Sequence, residues 1–174
     1  MTVEIRALLP VDDRSDFRSG DEELDLFFHR YAGQNQFRHH IGVTYVAVEE
    51  ERILGFVTVS PAMLDADDLP SGRKRPPYPL PVLRIARLAV GADSRGRGLG
   101  RSLLRFCIEI AERMRNDLGC VGLLVDAKVS AIPFYERLGF VAVDSLEGAS
   151  RILPAPQAMF LPLGAVPRPP PGDQ

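Results

Sequence analysis

The first regular apolar spacing in the chain begins after residue 20. Asp21-Glu22-Glu23 places acid where a helix starts, and Leu24, Phe27, Phe28 and Tyr31 then line one stripe. Residues 44–48 and 53–59 are rich in β-branched and aromatic side chains and flank Glu49-Glu50-Glu51, which predicts a hairpin. A third strand is expected over residues 82–90, with a defect in its alternation. Leu83 and Ile85 share one parity and Leu88 and Val90 the other, so one extra residue near Ala86, a β-bulge, would bring them to one face. Leu99, Leu103, Cys107, Ile110, Met114 and Leu118 follow at helical spacing, a long amphipathic helix that Gly119 ends. Residues 121–125 read as a strand buried on both faces. A short helix is expected from Ser130, its N-cap, with Pro133 in the first turn, ending before Gly139. Residues 140–143 and 158–163 supply the last strands. The order predicts an α/β (α+β) fold, a mixed sheet with helices packed on it.

Two stretches break this pattern. Residues 65–81 combine three aspartates, Arg73-Lys74-Arg75 and five prolines, a composition that sustains neither a helix nor a central strand. From Gly164 onward the chain is proline-rich. The expected organisation is one domain over residues 1–163 and a flexible tail over 164–174. A length of 174 residues suits that. With no apolar run long enough to span a bilayer and no signal-peptide pattern after Met1, the expected compartment is the cytoplasm and no membrane contact is expected. Cys107 and Cys120 lack metal-ligand or redox spacing and are expected to be buried apolar groups, and no metal site is expected.

Candidate chemistry concentrates in Arg84-Ile-Ala-Arg87-Leu-Ala-Val90-Gly-Ala-Asp-Ser-Arg95-Gly-Arg97-Gly98-Leu-Gly100-Arg101. A strand enters a glycine-rich turn and passes straight into a helix, so backbone N–H groups and the positive helix end face one point, ringed by arginines. A phosphate fits there. A P-loop would need Gly-Lys-Ser/Thr where this chain has Gly100-Arg101-Ser102, and the dinucleotide fingerprint needs a third glycine where Arg101 stands.

Arg95-x-x-Gly98-x-Gly100 after such a strand resembles the pyrophosphate-binding loop of the GNAT N-acetyltransferases, and Phe134-Tyr135-x-x-x-Gly139-Phe140 resembles their Phe-Tyr-x-x-x-Gly-Phe signature. The resemblance implies a mostly antiparallel twisted sheet with a V-shaped splay between two central parallel strands. It implies acetyl-CoA as cofactor: pantetheine on the backbone of Leu88, Ala89 and Val90, pyrophosphate on Arg95, Gly96, Arg97, Gly98, Leu99, Gly100 and Arg101, and Phe134 alongside. Leu24-Asp25-x-Phe27, Tyr45-Val46-Ala47, residues 55–60, Arg87-Leu88-Ala89-Val90 and Ala127-Lys128 are further similar to the GNAT toxins of type II toxin–antitoxin modules, which acetylate aminoacyl-tRNA. That subgroup usually has an acidic residue where Gly91 stands. The implied partners are aminoacyl-tRNA, a cognate antitoxin and a second copy of the chain.

Direct transfer requires a neutral amine, a polarised thioester carbonyl and a proton for the departing thiolate. Tyr135 is the candidate general acid, and a backbone N–H of Leu88 or Ala89 the candidate carbonyl polariser. A lysine amine near 10.4 would demand a strong base, whereas an α-amine near 7.7–8.0 is already partly neutral. Asp126 is a candidate base, and His29, His39 and His40 lie outside both motifs. Arg73, Lys74, Arg75, Arg84 and Arg87 are candidates for gripping tRNA phosphates. Two alternatives stay open: a GNAT enzyme acting on a small amine or a protein N-terminus, and a non-catalytic CoA-binding module. The net charge of −2 hides an asymmetry, since residues 1–72 carry 6 basic and 14 acidic side chains while 73–105 carry 9 and 1. A local basic block can thus meet an anionic partner in a nearly neutral chain.

Overall fold

The computed structural model describes residues 2–65, 79–143 and 156–165. Strands β1 (Glu4–Ala7), β2 (Val43–Glu49), β3 (Arg52–Leu64), β4 (Leu80–Val90), β5 (Gly122–Ala127), β6 (Val141–Ala142) and β7 (Gln157–Pro162) form one sheet in the order β1-β2-β3-β4-β5-β7-β6. The pairs β1–β2, β2–β3, β5–β7 and β6–β7 are antiparallel. β4 and β5 are neighbours although helix α2 (Leu99–Asp117) lies between them in sequence.

Chain contacts divide the molecule into two compact units, residues 1–61 with 84–110 and residues 62–83 with 111–174. The first is built around aromatics. Phe28 stacks on Phe56 with ring centroids 4.3 Å apart, and Phe17 meets both edge-on at 5.0 and 5.6 Å. Leu8, Val46, Val48, Ile53 and Ala89 complete that core. The second unit centres on Leu64, Val82, Leu124, Val143, Ala158 and Phe160.

Helix α1 (Glu22–Leu26) starts where the acidic triplet predicts it. Asp21 is the N-cap, its carboxylate accepting from the N–H groups of Glu23 and Leu24. The helix then runs through π-helical turns at Phe27–Tyr31 and Gln34–His39. The Ala32 N–H donates five residues back to Phe27. A five-residue step sets Ala32, not Tyr31, over Phe27. Ala32 is accordingly buried and Tyr31 47 % exposed, which corrects the expected stripe.

The hairpin forms as expected, turning at Glu50 and Glu51, both at positive φ (48° and 65°). Opposite Ala47 and Val48, β3 presents Gly55 and Ile53, so Leu54 is an extra residue in β3. Along β4, Leu83, Ile85 and Ala89 are buried, whereas Leu88 and Val90 are only half-buried. The expected inward turn of Leu88 and Val90 is therefore corrected. Ala89, small enough to fit against the Phe28–Phe56 core, takes the inward position.

Helix α2 buries Leu99, Leu103, Leu104, Cys107 and Ala111, but Leu118, expected on the same stripe, lies past the helix end and is 85 % exposed. Helix α3 (Ile132–Arg137) is preceded by a 3₁₀ turn at Val129–Ala131. That turn takes up Ser130. Ala131 is the N-cap and no side chain caps the helix, which corrects the assignment of Ser130. β1 was not foreseen, because a four-residue strand carries too little periodicity to read. Residues 66–78, 144–155 and 166–174 lie outside the described residues, and Arg73-Lys74-Arg75 and most of the proline tail lie there.

Candidate active site

The glycine-rich loop sits in the first unit, between β4 and α2. At the strand's end the Gly91 N–H donates to the Leu54 carbonyl at 2.7 Å, and the Ala92 N–H to the Arg18 carbonyl at 2.8 Å. A 3₁₀ turn over Ala92–Ser94 follows, closed by Ser94 N–H to the Gly91 carbonyl. Gly96 and Gly98 then adopt φ of +81° and +75°. A Cβ at either position would meet nothing within 4 Å. Within the protein itself, glycine at these two positions is called for by backbone conformation and not by crowding. The Ser102 N–H donates to the Gly98 carbonyl at 3.0 Å. The N–H groups of Leu99, Gly100 and Arg101 precede that first helical bond and stand free of the helix ladder. Three donors at the positive end of a 19-residue helix make an anion cradle.

The loop's arginines are held in ways that the sequence does not announce. Arg95 donates through Nη2 to the Ser19 carbonyl, and Arg97 makes a two-pronged pair with Glu49 at 3.0 and 3.1 Å. The bond from Arg97 holds the Glu49 carboxyl below the ordinary carboxylate range. Arg101, in the first turn of α2, is exposed. Ser19 and Glu49 were missed as site neighbours, and with 76 and 48 residues separating these pairs no local pattern could reveal them.

At the C-terminal end of β4, Leu88 and Val90 flank the buried Ala89. Arg87 lays its guanidinium carbon 4.8 Å from the Phe27 ring centroid, donates through Nη1 to the Ala86 carbonyl and buries its Nε. Arg84 is half-buried.

In the second unit, Tyr135 is 5 % exposed on α3, its ring edge-on to Phe134 at 5.1 Å and to Phe140 at 5.3 Å. Asp126 is exposed on β5, opposite Ala158. His29 Nε2 is hydrogen-bonded to the Phe17 carbonyl at 2.9 Å, and His39 and His40 are exposed. Cys107 and Cys120 are both buried, and burial pushes the Cys107 thiol up to about 12. Among the described residues no group of His, Cys, Asp and Glu could hold a metal ion. No helix among them is long and apolar enough to cross a membrane.

A family model for the acetyltransferase (GNAT) domain matches residues 40–142, a span that includes β4, the anion cradle and the Phe134-Tyr135 helix. The chain belongs to the GNAT acetyltransferase family. It is an N-acetyltransferase by that membership, and its seven-stranded sheet with flanking helices is the GNAT fold. A "tRNA-acetylating toxin" of Mycobacterium tuberculosis (strain ATCC 25618 / H37Rv) is 31% identical over 137 residues, covering 78% of this chain and 82% of that protein. Among solved structures, AtaT complexed with acetyl-methionyl-tRNAfMet aligns at 25% identity with a TM-score of 0.81, covering 94% of this chain and 96% of that one. AtaTR bound with AcCoA aligns at 27% identity with a TM-score of 0.76, covering 93% and 94%. The GNAT domain described here is thus similar to proteins named for both the cofactor and the acceptor that its sequence suggests.

Proposed function

We propose that this GNAT domain transfers acetyl from acetyl-CoA to the α-amine of aminoacyl-tRNA and acts as the toxin of a toxin–antitoxin module. The likeness to a tRNA-acetylating toxin over 78% of the chain carries the acceptor. The cradle at the start of α2 supports the cofactor, because a diphosphate matches three convergent N–H donors at a positive helix end.

In this reading the neutral α-amine attacks the thioester carbonyl while the N–H of Leu88 or Ala89 receives the developing oxyanion. As the intermediate collapses, the carbon–sulfur bond breaks, Tyr135 gives its phenolic proton to the thiolate of CoA, and the surplus amine proton passes to solvent. Because an α-amine is partly neutral at pH 7, no strong base is required. Arg95, Gly96, Arg97, Gly98, Leu99, Gly100 and Arg101 cradle the pyrophosphate, with Phe134 alongside. Arg84, Arg87 and the Arg73-Lys74-Arg75 segment are the proposed contacts for tRNA phosphates. A cognate antitoxin, a homodimer and a cytoplasmic site of action belong to the same reading.

The test is incubation with acetyl-CoA and charged tRNA, followed by analysis of the released aminoacyl ends. N-acetylated aminoacyl products are expected, and Tyr135→Phe is expected to lower kcat by about 100-fold or more. Efficient acetylation of free small amines with charged tRNA left untouched would overturn the acceptor. Full activity of Tyr135→Phe would overturn the general acid.

A further inference from the structure

Residues 17–21 form a strap that touches the anion cradle and is fastened at three points. Phe17 is buried among Phe28 and Phe56. Asp21 caps α1. Between them, the N–H and hydroxyl of the buried Ser19 both donate to one oxygen of Asp25, at 2.9 and 2.7 Å, and the same hydroxyl accepts from the Asp21 N–H at 3.1 Å. Asp25 is itself 9 % exposed. A buried carboxylate is costly unless satisfied, and Ser19 supplies two donors to it.

The strap's other side faces the cradle. The Arg18 carbonyl accepts from the Ala92 N–H and the Ser19 carbonyl from the Arg95 guanidinium. Gly20 follows at φ +93°, and a Cβ there would lie 2.9 Å from Arg95 Nη2. The positive φ requires glycine, and a Cβ there would push the end of the Arg95 side chain off the Ser19 carbonyl. Asp25 thus fixes the Ser19 peptide, and the Ser19 peptide fixes Arg95 at the start of the Arg95–Gly100 turn.

We infer that Asp25 is a positioning residue for the cofactor diphosphate, acting through Ser19 on Arg95 and the cradle. This rests on the acetyl-CoA reading above. Asp25 touches none of the reacting atoms, so its loss is felt in the diphosphate-dependent part of binding and not in the chemical step.

The experiment compares acetyl-CoA with S-acetylpantetheine, a donor that keeps the thioester but lacks the diphosphate, using wild type, Asp25→Ala, Asp25→Asn and Ser19→Ala, with a thermal melt of each. Asp25→Ala is expected to raise KM for acetyl-CoA about tenfold, the scale of a lost charge-assisted bond. Its kcat at saturation and its KM for S-acetylpantetheine are expected to match wild type. Asp25→Asn keeps an acceptor oxygen and is expected to restore most of the loss. Ser19→Ala, which removes only the hydroxyl, is expected to fall between. Equal KM increases for the two donors, a fall in kcat alone, or an unchanged KM for acetyl-CoA in both Asp25→Ala and Ser19→Ala would overturn the inference. If Asp25→Ala does not fold, Ser19→Ala decides by the same comparison. A wild type that uses neither donor would overturn the acetyl-CoA reading and this inference with it.

Discussion

Replacing Gly98 tests the cradle most directly, because structure separates backbone strain from crowding there. Gly98 sits at φ +75° and a Cβ would touch nothing within 4 Å. Any cost of a side chain is then the intrinsic cost of left-handed backbone, about 1–2 kcal/mol for an ordinary L-residue. Reduced freedom of the unfolded chain returns about 0.4–1 kcal/mol for Gly→Ala. The net loss for Gly98→Ala is about 1 kcal/mol, or a drop of roughly 2–4 °C in Tm for a chain of this size. If the turn instead relaxes to escape the strain, the cost moves to the ligand, and acetyl-CoA affinity falls about 5- to 30-fold. Melting curves with and without acetyl-CoA, together with calorimetric titration, measure both routes. The diagnostic is rank order. Asn is larger than Ala but tolerates positive φ better, so the expected losses rise from Gly98→Asn to Gly98→Ala to Gly98→Val. Losses that follow side-chain volume, with Asn worse than Ala, would refute the assignment to backbone conformation. So would Gly98→Val leaving both Tm and affinity unchanged.

Two further outcomes are expected. The hairpin turn places two glutamates at positive φ, so an Asn-Gly turn, Glu50→Asn with Glu51→Gly, is expected to stabilise the protein by about 1 kcal/mol; a Gln-Gln control that gained as much would trace the effect to charge instead. Arg6 and Asp12 form a bidentate pair with both bonds at 2.8 Å, and that bonding holds the Asp12 carboxyl below its ordinary value. A depressed carboxyl stabilises the fold above its unfolded value near 3.9 and ceases to as pH falls through the folded value. Asp12→Asn is therefore expected to lose about 1 kcal/mol at pH 7, solvent screening included, and to flatten the acid limb of a Tm-against-pH curve below about pH 4. An unchanged acid limb would assign that limb to other carboxylates.

Features written in a short repeat were legible before the structure. The hairpin, the long helix and the cradle each declare themselves within about 20 residues, through alternation, 3.6-residue spacing or glycines before an apolar stripe. Contacts that join distant segments were not. Arg95 reaches Ser19 across 76 residues and Arg97 reaches Glu49 across 48, and the arginines alone point to an anion without disclosing what holds them meanwhile. The same limit hid β1, whose partner strand β2 begins at Val43. Tyr31 and Leu118 were misplaced for a different reason. Each continues an ideal α-helical spacing past the point where the chain departs from it, at a π turn in one case and a helix end in the other. Asp25 stood out in sequence only as part of a shared motif, and its bonds to Ser19 supply a physical reason for an acid there.

The strap and the hairpin also bear on how quickly the cofactor is captured. Hydrogen bonds from Ala92, Arg95 and Arg97 tether the turn to two separate stretches of chain, residues 18–19 and Glu49. A turn braced in this way has its backbone donors aligned before any ligand arrives, so in the proposed reading acetyl-CoA meets a preformed cradle and association is a single bimolecular encounter hastened by opposite charge. The slow event is then departure. In the proposed reading, a diphosphate that draws Arg97 off Glu49 trades one anion for another on the same guanidinium, and Glu49 takes it back as CoA leaves.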